Sequence, residues 1–174
     1  IFESYNTPSK SKINNFFTCI IILMIEKFIS HRGNLYKKDV ERENKLNSIY
    51  DVINKGFDCE IDTWVINDKI FLGHDEPLLE VDSKVLLDFK EYLWIHCKNL
   101  DALNYFSIHS ENEFNYFWHQ KDDFTLTSKN FIWTNPDKNF SENSVIVDLI
   151  HTVEINKKAY GLCSDNIYEA KNIY

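Results

Sequence analysis

A chain of 174 residues that is 44% hydrophobic and 15% aromatic can build one substantial core, which excludes a disordered tail. Its formal net charge of −8 argues against a nucleic-acid-binding protein, because such proteins normally present a basic face. An acidic chain can still act on a phosphate ester, since a bound cation inverts the local potential. We therefore expect no nucleic-acid partner, and we expect a monomer.

The amino end carries an apolar run at 16–25 that is preceded by Lys10 and Lys12. The run is too short to span a bilayer, and it lacks the small-residue cleavage site of a signal peptide. Three interpretations remain open: an extension outside the domain, a first element packed on the domain, and a membrane-directed leader. We assign 1–24 to an N-terminal extension of uncertain role and 25–174 to the domain, and we expect no stable membrane span.

The first half of the domain alternates apolar runs with helical patterns. Strands are predicted at 27–33, 57–65 and 93–97, and helices at 40–55, 82–92 and 100–108. Gly56 stands where a helix C-cap is expected, and Asn67-Asp68-Lys69 predicts a hairpin tip before a strand at 70–73. Strand–helix alternation predicts parallel pairing, with functional groups at the carboxyl ends of the strands.

The second half consists of short apolar runs joined by polar connections. These runs lie at 114–118, 124–127, 131–134, 145–149 and 159–163, and a short helix begins at Ile167. A complete (β/α)₈ barrel usually needs ~250 residues. The predicted fold is therefore α/β: a compact, partly degenerate TIM (β/α)₈ barrel that has lost most helices from its second half.

The four cysteines, Cys19, Cys59, Cys97 and Cys163, form no C-x-x-C pair. Neither a zinc module nor a dense disulfide framework is indicated, so we expect a reducing compartment and a cytoplasmic location. Cys59 and Cys97 alternate with polar residues on their strands, which predicts that both are small buried residues.

Two pairs of polar residues stand on apolar strands at a spacing of two. Glu60 and Asp62 project to one side of their strand, and two buried carboxylates need a positive charge between them. A divalent cation, Mg²⁺ or Ca²⁺ first, meets that need, and a solvated polar face is the alternative. His96 and Lys98 repeat the spacing, and Lys98 predicts an anion that is either a substrate phosphate or one of the two carboxylates.

Two loops add groups that bind phosphate and move protons. His31-Arg32-Gly33 follows the first strand, and His74-Asp75 follows the hairpin. Arginine binds phosphate in a bidentate manner, and histidine transfers protons near neutral pH. His119 follows an aromatic run, and we interpret it as structural, with a place at the rim of the site as the alternative.

Read in order, these motifs resemble the glycerophosphodiester phosphodiesterase family. That family has an HRG strand, an EN pair opening the first helix, an ExD strand and an HD pair after a short hairpin. The corresponding residues here are His31-Arg32-Gly33, Glu43-Asn44, Glu60-Ile61-Asp62 and His74-Asp75. The resemblance extends to Lys98 and more loosely to 161–165, so it covers about 27–166. The wider superfamily includes phosphatidylinositol-specific phospholipases C and the spider-type sphingomyelinases D, which are TIM-barrel phosphodiesterases.

The resemblance implies a metal-dependent phosphoric diester hydrolase acting on a small glycerophosphodiester or lysolipid-like substrate. His31 and His74 would be the acid/base pair, Arg32 and Lys98 would hold the phosphate, and Glu60 and Asp62 would hold the cation. Members of the family often attack the phosphorus with a neighbouring substrate hydroxyl, which gives a cyclic phosphate that is then hydrolysed.

Two positions depart from the family pattern. His96 stands two residues before the lysine, where the family usually has a carboxylate as third metal ligand. Imidazole suits Mn²⁺ or Zn²⁺ better than Mg²⁺, so the metal preference has shifted, a water fills the position, or the metal binds weakly. The glutamate that the family has on a late strand is also not evident near 148–150. Two alternatives to an enzyme follow: a degenerate barrel that binds phosphoryl ligands without turnover, and an interaction protein with an aromatic-rich surface.

Overall fold

The computed structural model describes residues 25–109, 111, 113–155 and 157–174. The predicted N-terminal extension at 1–24, with Cys19, lies outside the described residues. None of the described helices is long and apolar enough to cross a membrane.

The described strands all belong to one sheet of ten. They are β1 (Ile25–Ser30), β2 (Asp58–Ile66), β3 (Lys69–Leu72), β4 (Leu79–Val81), β5 (Leu93–Cys97), β6 (Asn115–Trp118), β7 (Phe124–Leu126), β8 (Ile132–Thr134), β9 (Ser144–Val147) and β10 (Ala159–Ser164). Eight strands follow the order β4-β3-β2-β1-β10-β9-β8-β7, while β5 pairs with β2 and β6. The strand pairs are parallel except β2–β3, β3–β4 and β7–β8, so most strands have their carboxyl ends at one edge.

Four short helices accompany this sheet in the described ranges: α1 (Leu46–Asn54), α2 (Ser83–Asp88), α3 (Leu100–Ile108) and α4 (Ile167–Ile173). Their ends follow the sequence signals. Asp82 accepts a hydrogen bond from the Lys84 amide at 2.8 Å and so caps α2. Gly56 adopts a φ of +81° just after α1, as its predicted C-cap role requires. Helix α1 begins later than predicted, because Asn44 has a φ of +56° and interrupts the helical path.

The prediction of a TIM (β/α)₈ barrel is wrong. The sheet is a curled half-barrel, and its described part is too poor in helices for strands and helices to alternate. The reason lies in the connections after β6, at 119–123, 127–131, 135–143 and 148–158. A parallel crossover that contains a helix takes a dozen or more residues, and these segments are shorter. The predicted strands of this half are nevertheless present.

Two apolar layers hold the sheet. One face packs on the helices through buried residues that include Ile49, Val52, Leu86, Ala102, Phe106 and Ile167. The other face carries Ile29, Trp94, Phe117, Trp133, Val145, Val147 and Cys163. The Trp94 ring lies 6.0 Å from Trp133 of β8 and 6.2 Å from Tyr160 of β10, although neither strand pairs with β5. This aromatic cluster therefore fills the inside of the curl, below the carboxyl ends of the strands.

Candidate active site

A cavity of about 420 Å³ opens at the carboxyl edge of the sheet. Of the predicted site residues, it is lined by His31, Arg32, Glu60, His74, His96 and Lys98. The remaining one, Asp62, is fully buried and contacts four of the lining side chains. The structure thus brings together every residue that the sequence assigned to the site.

The carboxylate pair lies on β2, on the face that carries the aromatic cluster. Glu60 is 2% exposed, and its Oε2 accepts the Arg32 amide N–H at 3.1 Å. Asp62 is held by Asn44, whose Nδ2 donates to Asp62 Oδ2 at 3.0 Å and whose Oδ1 accepts the Asp62 amide at 2.9 Å. The residue pair Glu43-Asn44 therefore supports the site from the turn before α1, and not from the helix, where the family pattern places it.

The two carboxyl groups have opposite pKa shifts. Burial, reinforced by the charge of Asp62, raises the pKa of Glu60 well above its usual range. Burial alone would also raise the pKa of Asp62. The pKa of Asp62 is nevertheless well below its usual range, because His74 and His96 approach the Asp62 oxygens and because Arg32 and Lys98 add positive charge. A second charge on Glu60 is thus unfavourable unless a cation joins the pair.

His96 completes this group. Its Nδ1 lies 3.0 Å from Asp62 Oδ1 and 3.7 Å from Glu60 Oε1. The three residues offer ligand atoms within 4.8 Å of one another, as a metal site requires. Within the described residues, Asp62 Oδ1 is buried without a hydrogen-bond partner, which also fits a ligand atom.

Arg32 lies at the centre of the charged groups. Its backbone has a φ of +54°, a conformation that is rare for a side chain of this size. Its guanidinium donates to Glu43 Oε2 at 3.1 Å, lies 3.0 Å from Asp62 Oδ2 and reaches His74 Nε2 at 3.3 Å. Burial lowers the pKa of Arg32, but the carboxylates Glu60, Asp62 and Glu43 outweigh it and raise the pKa, so the group stays charged.

The β2–β3 hairpin delivers His74. Asn67 and Asp68 at its tip have φ values of +50° and +61°, as a tight two-residue turn requires. Strand β3 runs back along β2, so the loop after it places His74 Nδ1 3.1 Å from Asp62 Oδ2. Lys98, just after β5, places Nζ 3.4 Å from both Asp62 Oδ1 and His74 Nδ1. The ion pair predicted as the alternative for Lys98 is therefore present.

His31 has a carboxylate partner that the sequence reading did not assign to the site. Its Nδ1 lies 2.7 Å from Asp165 Oδ1, which also accepts Asn34 Nδ2 at 2.8 Å. Burial would raise the pKa of Asp165, but the bonds from His31 and Asn34 and the charge on His31 lower it. Ser30 pairs with Ser164 in the parallel β1–β10 ladder, so the next residues emerge side by side. Knowledge of that pairing would have revealed Asp165.

The opposite wall of the cavity comes from the ends of β6, β8 and β9. It includes Trp118, His119, Gln120, Trp133, Asn135, Pro136, Val147 and Leu149. His119 thus lines the cavity, the alternative that the sequence left open, and it is also structural because its carbonyl accepts from His96 Nε2 at 2.9 Å. Its own Nε2 lies 2.9 Å from Asn135 Oδ1, and burial lowers its pKa.

The predicted burial of Cys59 and Cys97 is confirmed, with exposed fractions of 0% and 1%. Burial raises the pKa of Cys97 to about 12 and that of Cys59 well above its usual value. Neither thiol is therefore suited to act as a nucleophile.

No family model matches this chain, and comparisons with curated proteins and with solved structures give no match. The function must therefore be argued from the motifs and from the geometry of the cavity.

Proposed function

We propose that this protein is a divalent-cation-dependent phosphodiesterase that cleaves a small glycerophosphodiester or lysolipid-like substrate. The observation that carries the proposal is the convergence, on one cavity, of two histidines, two cationic side chains and a buried carboxylate pair. The motif resemblance to glycerophosphodiester phosphodiesterases supports the same chemistry.

Arg32 and Lys98 would bind the phosphate. Both side chains are mostly buried, with exposed fractions of 13% and 16%, and both border His74. A planar guanidinium contacts two phosphate oxygens at once, and an ammonium adds a point charge. In a partly desolvated cavity these charges stabilise the negative charge that develops on the phosphoryl oxygens.

His31 is the better candidate for the general base. Asp165 accepts the proton on Nδ1, which leaves Nε2 as the ring nitrogen whose lone pair can take a proton. Nε2 would take the proton of a nucleophilic hydroxyl, from the substrate itself or from water, as its oxygen forms a bond to phosphorus.

His74 would then be the general acid. Its Nδ1 lies 3.1 Å from Asp62 Oδ2, which orients the ring, and its Nε2 lies at the cavity, 3.3 Å from the Arg32 guanidinium that would bind the phosphate. As the bond from phosphorus to the leaving oxygen breaks, Nε2 of His74 would give its proton to that oxygen. The proton gained by His31 and the proton lost by His74 balance, so hydrolysis of a cyclic intermediate in the reverse sense would restore both rings.

Glu60, Asp62 and His96 would hold the cation. Their donor set fits this role: Asp62 Oδ1 forms no hydrogen bond within the described residues, and burial beside Asp62 raises the pKa of Glu60, so a cation is needed to balance both charges. The cation would supply positive charge to the phosphoryl oxygens. The aromatic and aliphatic wall formed by Trp118, Trp133 and Leu149 would contact the alcohol part of the substrate.

The test is hydrolysis of bis(p-nitrophenyl) phosphate and glycerophosphocholine by the full chain, in a panel of divalent ions and in a chelator. We expect ion-dependent turnover that falls about 10²- to 10⁴-fold in His31→Ala and in His74→Ala. The double variant should lose little more than the worse single variant, because the two groups act as a unit. His109→Gln is the matched control, since His109 ends α3 and does not line the cavity.

The alternative function is phosphoryl binding without turnover. The His96 substitution and the short second half of the sheet motivate it. This alternative is favoured if saturation-transfer NMR shows that glycerophosphocholine binds to the wild type but not to Arg32→Ala, while no hydrolysis is detected. Absence of both binding and turnover would contradict both functions.

A further inference from the structure

The imidazole beside the two carboxylates has its orientation set from two sides. His96 Nε2 lies 2.9 Å from the carbonyl oxygen of His119, and a carbonyl only accepts, so Nε2 carries a proton. The ring also stacks on Phe117, with 5.1 Å between centroids and 3° between planes. Nδ1 is therefore the ring atom that faces Asp62 and Glu60.

The atoms around Nδ1 are not satisfied by one another. Asp62 Oδ1 lies 3.0 Å away and is fully buried; within the described residues it forms no hydrogen bond, and its ion pair with Lys98 is long, with Nζ at 3.4 Å. Glu60 Oε1 lies 3.7 Å from Nδ1, too far for a hydrogen bond. A buried carboxylate oxygen without a hydrogen bond is unfavourable, and one ammonium at 3.4 Å does not balance two carboxylates, so this arrangement of one nitrogen and two oxygens suits a shared cation.

The donor set discriminates between classes of cation. Mg²⁺ and Ca²⁺ take oxygen ligands almost exclusively, whereas imidazole with carboxylates suits Mn²⁺, Fe²⁺, Co²⁺ and Zn²⁺. A metal-binding histidine usually donates its other ring N–H to a carbonyl or carboxylate, as Nε2 does here, and that hydrogen bond raises the basicity of the ligating nitrogen. His119 supplies that contact here.

We propose that this centre is built for a first-row transition dication such as Mn²⁺ or Zn²⁺, and not for Mg²⁺ or Ca²⁺. His96 sets the preference through Nδ1, and His119 orients it. The inference rests on the cation site of the proposed function and replaces the Mg²⁺ or Ca²⁺ that the carboxylates alone suggested. Of the three explanations for His96 that the sequence left open, it selects the shifted metal preference.

The test compares wild type with His96→Glu, which restores an all-oxygen donor set. The full chain, stripped with a chelator, is titrated calorimetrically with Mn²⁺, Zn²⁺, Mg²⁺ and Ca²⁺. Because most sites favour Mn²⁺ somewhat over Mg²⁺, the informative quantity is the change in the ratio of their affinities. We expect the preference for Mn²⁺ to fall about tenfold or more in His96→Glu, as oxygen replaces nitrogen. His109→Gln should keep the wild-type ratio.

A spectroscopic measurement tests the ligand directly. Pulsed EPR of Mn²⁺ bound to wild type should show hyperfine coupling to an imidazole nitrogen, and Mn²⁺ bound to His96→Glu should not. If His96→Glu does not fold, as judged by circular dichroism, His96→Gln serves for the same comparison.

The outcomes separate this inference from the proposed function. Wild type that binds Mn²⁺ without nitrogen coupling, or with the same preference over Mg²⁺ as His96→Glu, overturns the inference and leaves a metal-dependent phosphodiesterase intact. If no divalent ion binds while turnover continues in a chelator, both the inference and the cation dependence are wrong. His96 is then only an ion-pair partner of Asp62.

Discussion

Replacing Asp165 should show how strongly the orientation of His31 contributes to turnover. Asp165 is 6% exposed, and one of its oxygens accepts from both His31 and Asn34, at 2.7 and 2.8 Å. In Asp165→Asn the side chain keeps its shape, and the new amide at this position keeps an oxygen that can face the two donors, His31 and Asn34. What is lost is the charge.

The magnitude follows from this geometry. A hydrogen bond to a charged group contributes about 1.5–3 kcal/mol and a neutral one about 0.5–1.5 kcal/mol, so the loss is ~1–2 kcal/mol. At ~1.36 kcal/mol per factor of ten, kcat/KM should fall roughly 5- to 30-fold in Asp165→Asn. Asp165→Ala removes the acceptor and frees His31 to change tautomer, so its loss should approach the ~10²- to 10⁴-fold expected for losing the base itself.

The assay is steady-state hydrolysis of bis(p-nitrophenyl) phosphate, with the loss expected in kcat more than in KM. Proton NMR adds a readout that a merely structural role would not move. The downfield signal of the His31 Nδ1 proton should be present in wild type and weakened or lost in the variants. Asp51→Asn is the control, because Asp51 lies on α1 and forms an exposed ion pair with Arg42, away from the cavity. Folded Asp165→Ala with wild-type kcat would refute the assignment of His31 as an oriented base.

Three further predictions concern stability. Glu60→Gln should raise the Tm of the metal-free protein at pH 7 by a few degrees, because burial raises the pKa of Glu60 and penalises its charge. A gain of ~1 kcal/mol corresponds to about 2–4 °C for a protein of this size. A lower Tm by calorimetry would contradict this prediction. The lowered pKa of Asp62 contributes stability that is fully present above its unfolded value of about 3.9 and is lost as pH falls toward the folded value. Urea unfolding between pH 7 and 2.5 should therefore show a flatter acid limb for Asp62→Asn than for wild type, and parallel limbs would argue against the shift. Gly73→Ala should destabilise the fold and weaken turnover, since the new Cβ would lie 2.0 Å from the Glu76 carbonyl oxygen. In Gly56→Ala the new Cβ would meet no atom of the described residues within 4 Å, so the loss should be only about 1 kcal/mol, from the φ of +81°. Equal Tm losses for the two variants would count against the steric argument.

The local elements could be predicted from the sequence because their causes are local. Strand β5 and helix α3 have the predicted bounds, and the Asn67-Asp68 turn and the Asp82 cap lie where their side chains and backbone preferences indicate. The period of two along a strand also placed Glu60 and Asp62 on one face without any tertiary information.

The number of helices could not be predicted from the resemblance to the family's motifs. The motifs lie mainly in the half of the chain where helices do alternate with strands. After β6 the connections are too short for crossover helices, so the sheet curls without them. The lengths of these connections were visible in the sequence, but the barrel expectation outweighed them.

The partners within the site depended on contacts between distant parts of the chain. Parallel pairing of β1 with β10 puts Asp165 against His31, across most of the length of the domain. The parallel pairing of β5 with β6 places Phe117 on the ring of His96 and, just beyond β6, the His119 carbonyl on its Nε2. The residue types that carry the chemistry are evident from the amino-acid sequence alone. Tertiary packing decided which ring nitrogen each histidine presents, because a tautomer is set by its hydrogen-bond partner and not by its place in the chain.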